Sequence, residues 1–184
     1  MAGKVTPKLV ACVYCNGGCN AKKKMEYTAE SCEQAMALCE GGPLECTYGC
    51  LGCDSCVAAC KFGALKIGDN GIAQVDAEKC IGCGKCTRVC PRGVIRLRDR
   101  MVFVEVRCSN RDKAVDPVTK QGARTVCSAS CIGCGICERV CPSGAAQVRE
   151  NLAQIDEEKC LSCGMCVVKC PRGVLHDTRG ILQR

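Results

Sequence analysis

The stretch Cys80-Ile-Gly-Cys83-Gly-Lys-Cys86-Thr-Arg-Val-Cys90-Pro91 places three cysteines at every third position, a fourth after three more residues, and then a proline. Three thiols this close in sequence face a common centre only if the backbone wraps around it. The spacing is that of a cubane iron–sulfur ligand run, in which three thiolates grip one cluster and the fourth reaches to a second. One run therefore implies another. The chain has three more: Cys50, Cys53, Cys56 and Cys60; Cys131, Cys134, Cys137 and Cys141-Pro142; and Cys160, Cys163, Cys166 and Cys170-Pro171. Zinc also favours four cysteines, but its sites are built from Cys-x-x-Cys pairs, not from triplets with a fourth ligand before proline.

Composition points the same way. Among 184 residues aromatics make up 3%, with no Trp and two Phe, so large side chains can fill little of a core. The 24 cysteines are the alternative source of cohesion, as disulfides or as metal ligands. The N-terminus, Met-Ala-Gly-Lys-Val-Thr-Pro-Lys, lacks the apolar stretch of a signal peptide. A reduced, cytoplasmic setting is expected, which suits metal. No apolar run approaches the ~20 residues of a membrane span, so direct membrane insertion is not expected and any peripheral membrane association would come through partner subunits. The formal charge of +7 suggests nucleic acid until the clusters are counted. Sixteen thiolates against four cores of about +2 each bring that charge to roughly −1. With stacking aromatics nearly absent as well, no nucleic-acid partner is expected.

Taken in order, a loose arm over residues 1–9 leads into the strand-like Leu9–Cys15 and the turn signal Asn16-Gly-Gly. Residues 21–39 alternate charge with Ala, Met and Leu and predict a helix, stopped by Gly41-Gly42-Pro43. After the first run, Gly63–Ile67 and Ile72–Asp76 around a Gly/Asn turn predict a hairpin. Short helical turns link each third and fourth cysteine, and Val94–Leu97 closes the unit as a strand. The plan then repeats. Ile72-Ala-Gln-Val-Asp76 returns as Leu152-Ala-Gln-Ile-Asp156, and Cys90-Pro-Arg-Gly-Val94 returns as Cys170-Pro-Arg-Gly-Val174. Upstream, Cys108-Ser-Asn echoes Cys15-Asn-Gly, and Cys127-Ser-Ala-Ser-Cys131 echoes Cys46-Thr-Tyr-Gly-Cys50. The expected fold is α+β, a tandem duplication of two-cluster bacterial-type ferredoxin-like domains, each with a small front segment. The expected divisions are 1–45 (front segment), 46–99 (ferredoxin domain), 100–126 (second front segment) and 127–184 (second ferredoxin domain).

The order Cys15-Asn-Gly-Gly, Gly-Gly-Pro43, Cys46-Thr-Tyr-Gly-Cys50-Leu-Gly, hairpin, Cys80-Ile-Gly-Cys-Gly-Lys-Cys and Cys108-Ser-Asn-Arg-Asp-Lys resembles the B subunit of the Rnf electron-transport complex over about residues 9–175. The resemblance implies a relay of electrons between a flavoprotein NADH module, ferredoxin and ion-pumping membrane subunits. The family's N-terminal membrane helix and extra cluster domain have no counterpart in this sequence. The family does not usually carry cysteine at position 53, which offers Cys46 as a substitute ligand, and Lys61 stands where proline is usual.

The crossed rule assigns Cys50, Cys53, Cys56 and Cys90 to one [4Fe-4S] cluster and Cys60, Cys80, Cys83 and Cys86 to a second. Cys131, Cys134, Cys137 and Cys170 take a third; Cys141, Cys160, Cys163 and Cys166 take a fourth. Symmetry of the duplication favours Cys53 over Cys46, leaving Cys46 and Cys127 as equivalent extra thiols. Eight cysteines remain: Cys12, Cys15, Cys19, Cys32, Cys39, Cys46, Cys108 and Cys127. That number suffices for one or two more clusters, and Cys12, Cys15, Cys19 and Cys32 are spaced as additional ligands. For each one singly, the favoured reading is a buried free thiol packing as a small hydrophobe. His176 is read as a surface residue of a polar tail; Arg92 and Arg172 are read either as screens of cluster charge or as a solvated face. No phosphate-cradling loop, flavin site or catalytic nucleophile is apparent. The expected function is an electron-relay subunit of a multisubunit oxidoreductase. It would pass single low-potential electrons between a flavin/NADH or ferredoxin module and another partner. A free diffusible polyferredoxin is the alternative within redox chemistry; a structural metal-binding scaffold is the alternative outside it.

Overall fold

The computed structural model describes residues 8–182. Apolar alternation without long apolar runs yields short elements, and the four sheets are two-stranded. Strand β1 (Leu9–Val13) pairs antiparallel with β4 (Ile95–Asp99), in register from Leu9 opposite Asp99 to Val13 opposite Ile95. Between them in sequence lies the hairpin β2 (Leu65–Ile67) and β3 (Ala73–Val75). The second half repeats the plan: β5 (Val104–Val106) pairs with β8 (Leu175–Asp177), enclosing the hairpin β6 (Ala146–Arg149) and β7 (Leu152–Ile155). In each half the outer pair is completed by a strand that precedes the first cysteine run.

Six short α-helices complete the described residues: α1 (Cys32–Ala37), α2 (Ser55–Ala58), α3 (Lys85–Val89), α4 (Ala123–Val126), α5 (Ile136–Arg139) and α6 (Met165–Lys169). The helix expected over residues 21–39 is thus confined to its last third. Ser31 caps it by accepting from the Gln34 amide at 3.2 Å. Upstream, tertiary hydrogen bonds claim the backbone: Lys22 N–H donates to Val126 O, Lys24 N–H to Pro43 O and Glu45 N–H to Lys22 O. A chain tied on both sides in this way cannot close an i to i+4 ladder, whatever its propensity.

Two packed cores form around the cysteine runs. One gathers Val10, Leu65, Ile72, Val94 and Ile95; the other gathers Val104, Val106, Leu152, Val174 and Leu175. A small cluster of Ala21, Cys46, Val126 and Cys127 joins the halves. Among the described residues no helix is long and apolar enough to cross a membrane.

Candidate metal centres

All four runs are shaped by the same local device. The residue before the second cysteine and the residue after it both lie in the left-handed region: Gly52 and Asp54 (φ 71° and 58°), Gly82 and Gly84 (both φ 71°), Gly133 and Gly135 (φ 61° and 72°), Ser162 and Gly164 (φ 51° and 72°). Glycine reaches this region without strain, and the alternation coils the loop so that successive thiols turn inward. The third cysteine then falls just inside a helical turn, where Cys56, Cys86, Cys137 and Cys166 are all buried.

Hollows lined by four cysteines result. Cys60, Cys80, Cys83 and Cys86 surround one, together with Ala64, Leu65 and Leu97. Cys131, Cys134, Cys137 and Cys170 surround another, against Val148, Ala153 and Val174. In both, the fourth cysteine comes from the other run. The Cys166 thiol is pushed up to about 12, first by burial and then by Cys160, Cys137, Cys141 and Cys163, so thiols of the fourth expected quartet act on it together with Cys137 of the third run.

The first run departs from its siblings. Its hollow is lined by Cys50, Cys56, Cys90 and Cys32, not Cys53. Burial pushes the Cys56 thiol up to about 12, and the thiols that add to this are Cys50, Cys32, Cys90 and Cys86. Cys53 instead donates to Leu51 O at 3.3 Å and packs with Cys32, Leu44 and Leu51. Whereas Cys83, Cys134 and Cys163 are exposed, Cys53 is buried. The left-handed position after it is occupied by Asp54 at φ 58°, where the other runs have glycine. Sequence reasoning missed Cys32 in this place; the signal available was the helix predicted upstream of Cys50, which bears Cys32.

The sulfurs are hydrogen-bonded by backbone amides. Ala11 N–H reaches Cys80 Sγ (3.4 Å), Ala64 N–H Cys60 (3.4 Å), Ala153 N–H Cys131 (3.5 Å) and Val174 N–H Cys170 (3.3 Å). At Cys141, burial opposes the thiolate, but donation from Ala146, Ser143 and Ala145 outweighs it and lowers the thiol. Donors fixed on sulfur stabilise thiolate and raise a cluster's potential. Elsewhere burial dominates: the Cys50 and Cys137 thiols rise to about 11. A dry pocket of such thiols holds thiolates only if a cationic core enters with them. Among the described residues no three His, Cys, Asp or Glu side chains converge on a single metal ion. The four-cysteine linings weigh more than that, because a cubane spreads its thiolates over a wider tetrahedron than one ion does.

Cys12, Cys15, Cys19 and Cys32 do not meet. Cys12 donates to Glu105 Oε2 at 3.0 Å, and burial holds its thiol far above the usual range. Cys19 is exposed, Cys15 lies at the joint between the halves, and Cys32 joins the first run. His176 is not part of a loose polar tail: it stands half-buried on β8, opposite Glu105. Arg92 and Arg172 do not face solvent freely. Arg92 donates to Gly41 O and Cys46 O (2.7 and 3.2 Å), and Arg172 to Ser130 O and Cys127 O (both 3.2 Å).

Comparison with known proteins agrees with this geometry. A model of the 4Fe-4S dicluster domain matches residues 49–94 and again 130–174, and a model of the 4Fe-4S double cluster binding domain matches residues 79–144. The chain is a tandem 4Fe-4S dicluster protein, with two domains that correspond to four [4Fe-4S] clusters. More particularly, it resembles the B subunit of the Rnf complex. It is 47% identical over 72% of its length to the B subunit of the ion-translocating oxidoreductase complex of Methanosarcina acetivorans. It is 40% identical over 85% of its length to the B subunit of the proton-translocating ferredoxin:NAD(+) oxidoreductase complex of Clostridium ljungdahlii. To the B subunit of the Na(+)-translocating ferredoxin:NAD(+) oxidoreductase complex of Acetobacterium woodii it is 43% identical over 83% of its length. The chain spans 48%, 55% and 44% of these three relatives, about half of each.

Proposed function

We propose that this chain is an electron-relay module of a multisubunit oxidoreductase, passing single electrons along [4Fe-4S] clusters between redox partners. The observation that carries the reading is the crossing of the runs: the hollow at Cys80, Cys83 and Cys86 is completed by Cys60, and that at Cys131, Cys134 and Cys137 by Cys170. Crossed runs bring paired centres close, which a structural metal scaffold does not need. The ligand sets proposed are Cys60, Cys80, Cys83 and Cys86; Cys131, Cys134, Cys137 and Cys170; Cys141, Cys160, Cys163 and Cys166; and Cys50, Cys56 and Cys90 with Cys32 in place of the expected Cys53. Bound clusters supply one-electron chemistry. The chain's own part is to fix the thiolates, aim amides at them and exclude water. The front segments, 1–45 and 100–126, each lend one strand to the ferredoxin unit that follows.

The names of two relatives carry ferredoxin and NAD(+); the partners proposed are ferredoxin and other redox subunits, a flavoprotein among them as the Rnf resemblance implies, in a cytoplasmic setting peripheral to the membrane through those subunits. The test is anaerobic purification from the native host. A relay module gives at least about sixteen irons and as much sulfide per chain, bleaches with dithionite and copurifies with flavin-bearing or membrane subunits. Zinc in place of iron would overturn the reading, and an iron-loaded chain that purifies alone would favour the diffusible carrier.

A further inference from the structure

Four cysteines outside the cluster runs meet at the joint between the two halves. Cys15 and Cys46 come from the first half, Cys108 and Cys127 from the second, and together they line one hollow. All four are buried, between 5% and 6% exposed. A methyl group placed on Gly17 would touch Cys15 Sγ at 3.3 Å and Cys127 Sγ at 3.9 Å, so sulfurs from opposite halves flank one glycine. The sulfurs are dressed as those of the runs are. Gly17 N–H and Cys50 N–H both donate to Cys15 Sγ at 3.3 Å, and Cys131 N–H donates to Cys108 Sγ at 3.3 Å. Asn110, 1% exposed, turns its side-chain amide onto Cys46 Sγ at 3.5 Å.

The site obeys the symmetry of the duplication. Cys15 accepts from the amide of Cys50, which opens the first run; Cys108 accepts from the amide of Cys131, which opens the third. Cys46 and Cys127 are each held by the arginine of a Cys-Pro-Arg-Gly-Val word, through Arg92 on Cys46 O and Arg172 on Cys127 O. Buried free thiols have no need of donors aimed at sulfur or of a matched arginine on each loop.

We propose that Cys15, Cys46, Cys108 and Cys127 hold a fifth [4Fe-4S] cluster, two ligands from each half, which connects the first dicluster unit to the second. The inference rests on the relay reading above. The two amide contacts place the site one hydrogen bond from Cys50 on one side and from Cys131 on the other. An electron crossing it leaves the donor cluster one charge more positive and the acceptor one charge more negative, with no atom or proton transferred. Without it, the first and third centres would be joined only by protein.

Iron, sulfide and zinc are measured on the full chain purified anaerobically, alongside the double variant Cys46→Ser/Cys127→Ser and the control Cys39→Ser. The wild type and the control should carry about twenty irons, and the double variant about sixteen. Circular dichroism and the reduced spectra of the remaining clusters check that the double variant is folded. If it is not, Cys15→Ser alone is measured, and a Mössbauer spectrum should show one of five cubanes lost or converted to a three-iron form. About sixteen irons in the wild type, or one zinc per chain beside sixteen irons, would overturn the fifth cluster while leaving the relay reading intact. Fewer than about sixteen irons with zinc in the runs would overturn the relay reading itself. An unchanged iron count in the folded double variant would overturn the assignment of these ligands.

Discussion

At the scale of single residues, the most informative contact is one that a regular motif does not make. Cys53 keeps the three-residue spacing of its siblings, yet its thiol donates to Leu51 O and is pushed up to about 11 by burial, by Cys32 and by Asp54. Cys32 meanwhile lines the hollow with Cys50, Cys56 and Cys90. It is carried there by a helix whose first turn is tied to the run: Ser55 Oγ accepts from Cys32 N–H at 2.8 Å and donates to Glu33. Cys32→Ala is therefore expected to cost this cluster one iron, read as a three-iron paramagnetic signal, or the whole cluster. Cys53→Ala is expected to leave the iron count unchanged and to cost about 1 kcal/mol of packing. The reverse pattern, with iron lost from Cys53→Ala alone, would restore the assignment that spacing suggests. Spacing pointed to the hollows at Cys60, Cys80, Cys83 and Cys86 and at Cys131, Cys134, Cys137 and Cys170, because three ligands of each sit in one run whose geometry is local. It failed at Cys32, since turns and irregular chain separate α1 from Cys50 and no local rule says where they return.

Among elements, the outer strand pairs do most to lock the halves together. Arg98 on β4 and Glu105 on β5 are both buried, at 5% and 9% exposed, and Arg107 Nε donates to Glu105 Oε1 at 2.5 Å. Cys12 on β1 completes the cluster by donating to the same carboxylate. Burial opposes charge on Glu105, but Arg107, the Cys12 thiol and Arg98 together hold its carboxyl below the usual range. Removing it would leave Arg98 buried beside no anion, an imbalance that typically costs about 3 kcal/mol. Glu105→Gln should thus lower the thermal midpoint of the cluster-loaded chain markedly. Because the folded-state value is depressed, the stabilisation is present above the unfolded value of about 4.5 and is lost as pH falls through the folded one. The gap between wild type and variant should therefore be full at neutral pH and close in acid, below the unfolded value. A gap that stays constant from pH 7 down through that acid range would show that Glu105 acts by shape and not by charge. The strands were legible in sequence from short β-branched alternation. Their cross-half polar cluster was not, because a lone Cys12, Arg98 or Glu105 reads as an ordinary strand residue until β1, β4 and β5 are brought side by side.

For the whole molecule, the balance between apolar burial and metal decides what happens when iron is removed. The buried cores are made of Val, Ile, Leu, Ala and Cys, and no Phe is among the buried residues. Sheets of two strands and helices of four to six residues are marginal alone, since short helices propagate too few hydrogen bonds to repay nucleation. In each half the cysteines themselves form part of the core, so extraction of the clusters removes the centre around which Val10, Val94 and Ile95, or Val104 and Val174, are packed. Metal binding and folding should then be one equilibrium, as in other small metal-ligated domains. Chelation of iron under reducing, anaerobic conditions is expected to abolish the cooperative thermal transition followed by far-ultraviolet circular dichroism and to open backbone amides to exchange in both halves. The amides of Ala11, Ala153 and Val174, which donate to cluster-facing sulfurs, should lose protection with the iron. An apo chain that retains one sharp transition near the midpoint of the loaded protein would show that the β1–β4 and β5–β8 pairs are self-sufficient, and would make the clusters passengers on a fold that stands without them.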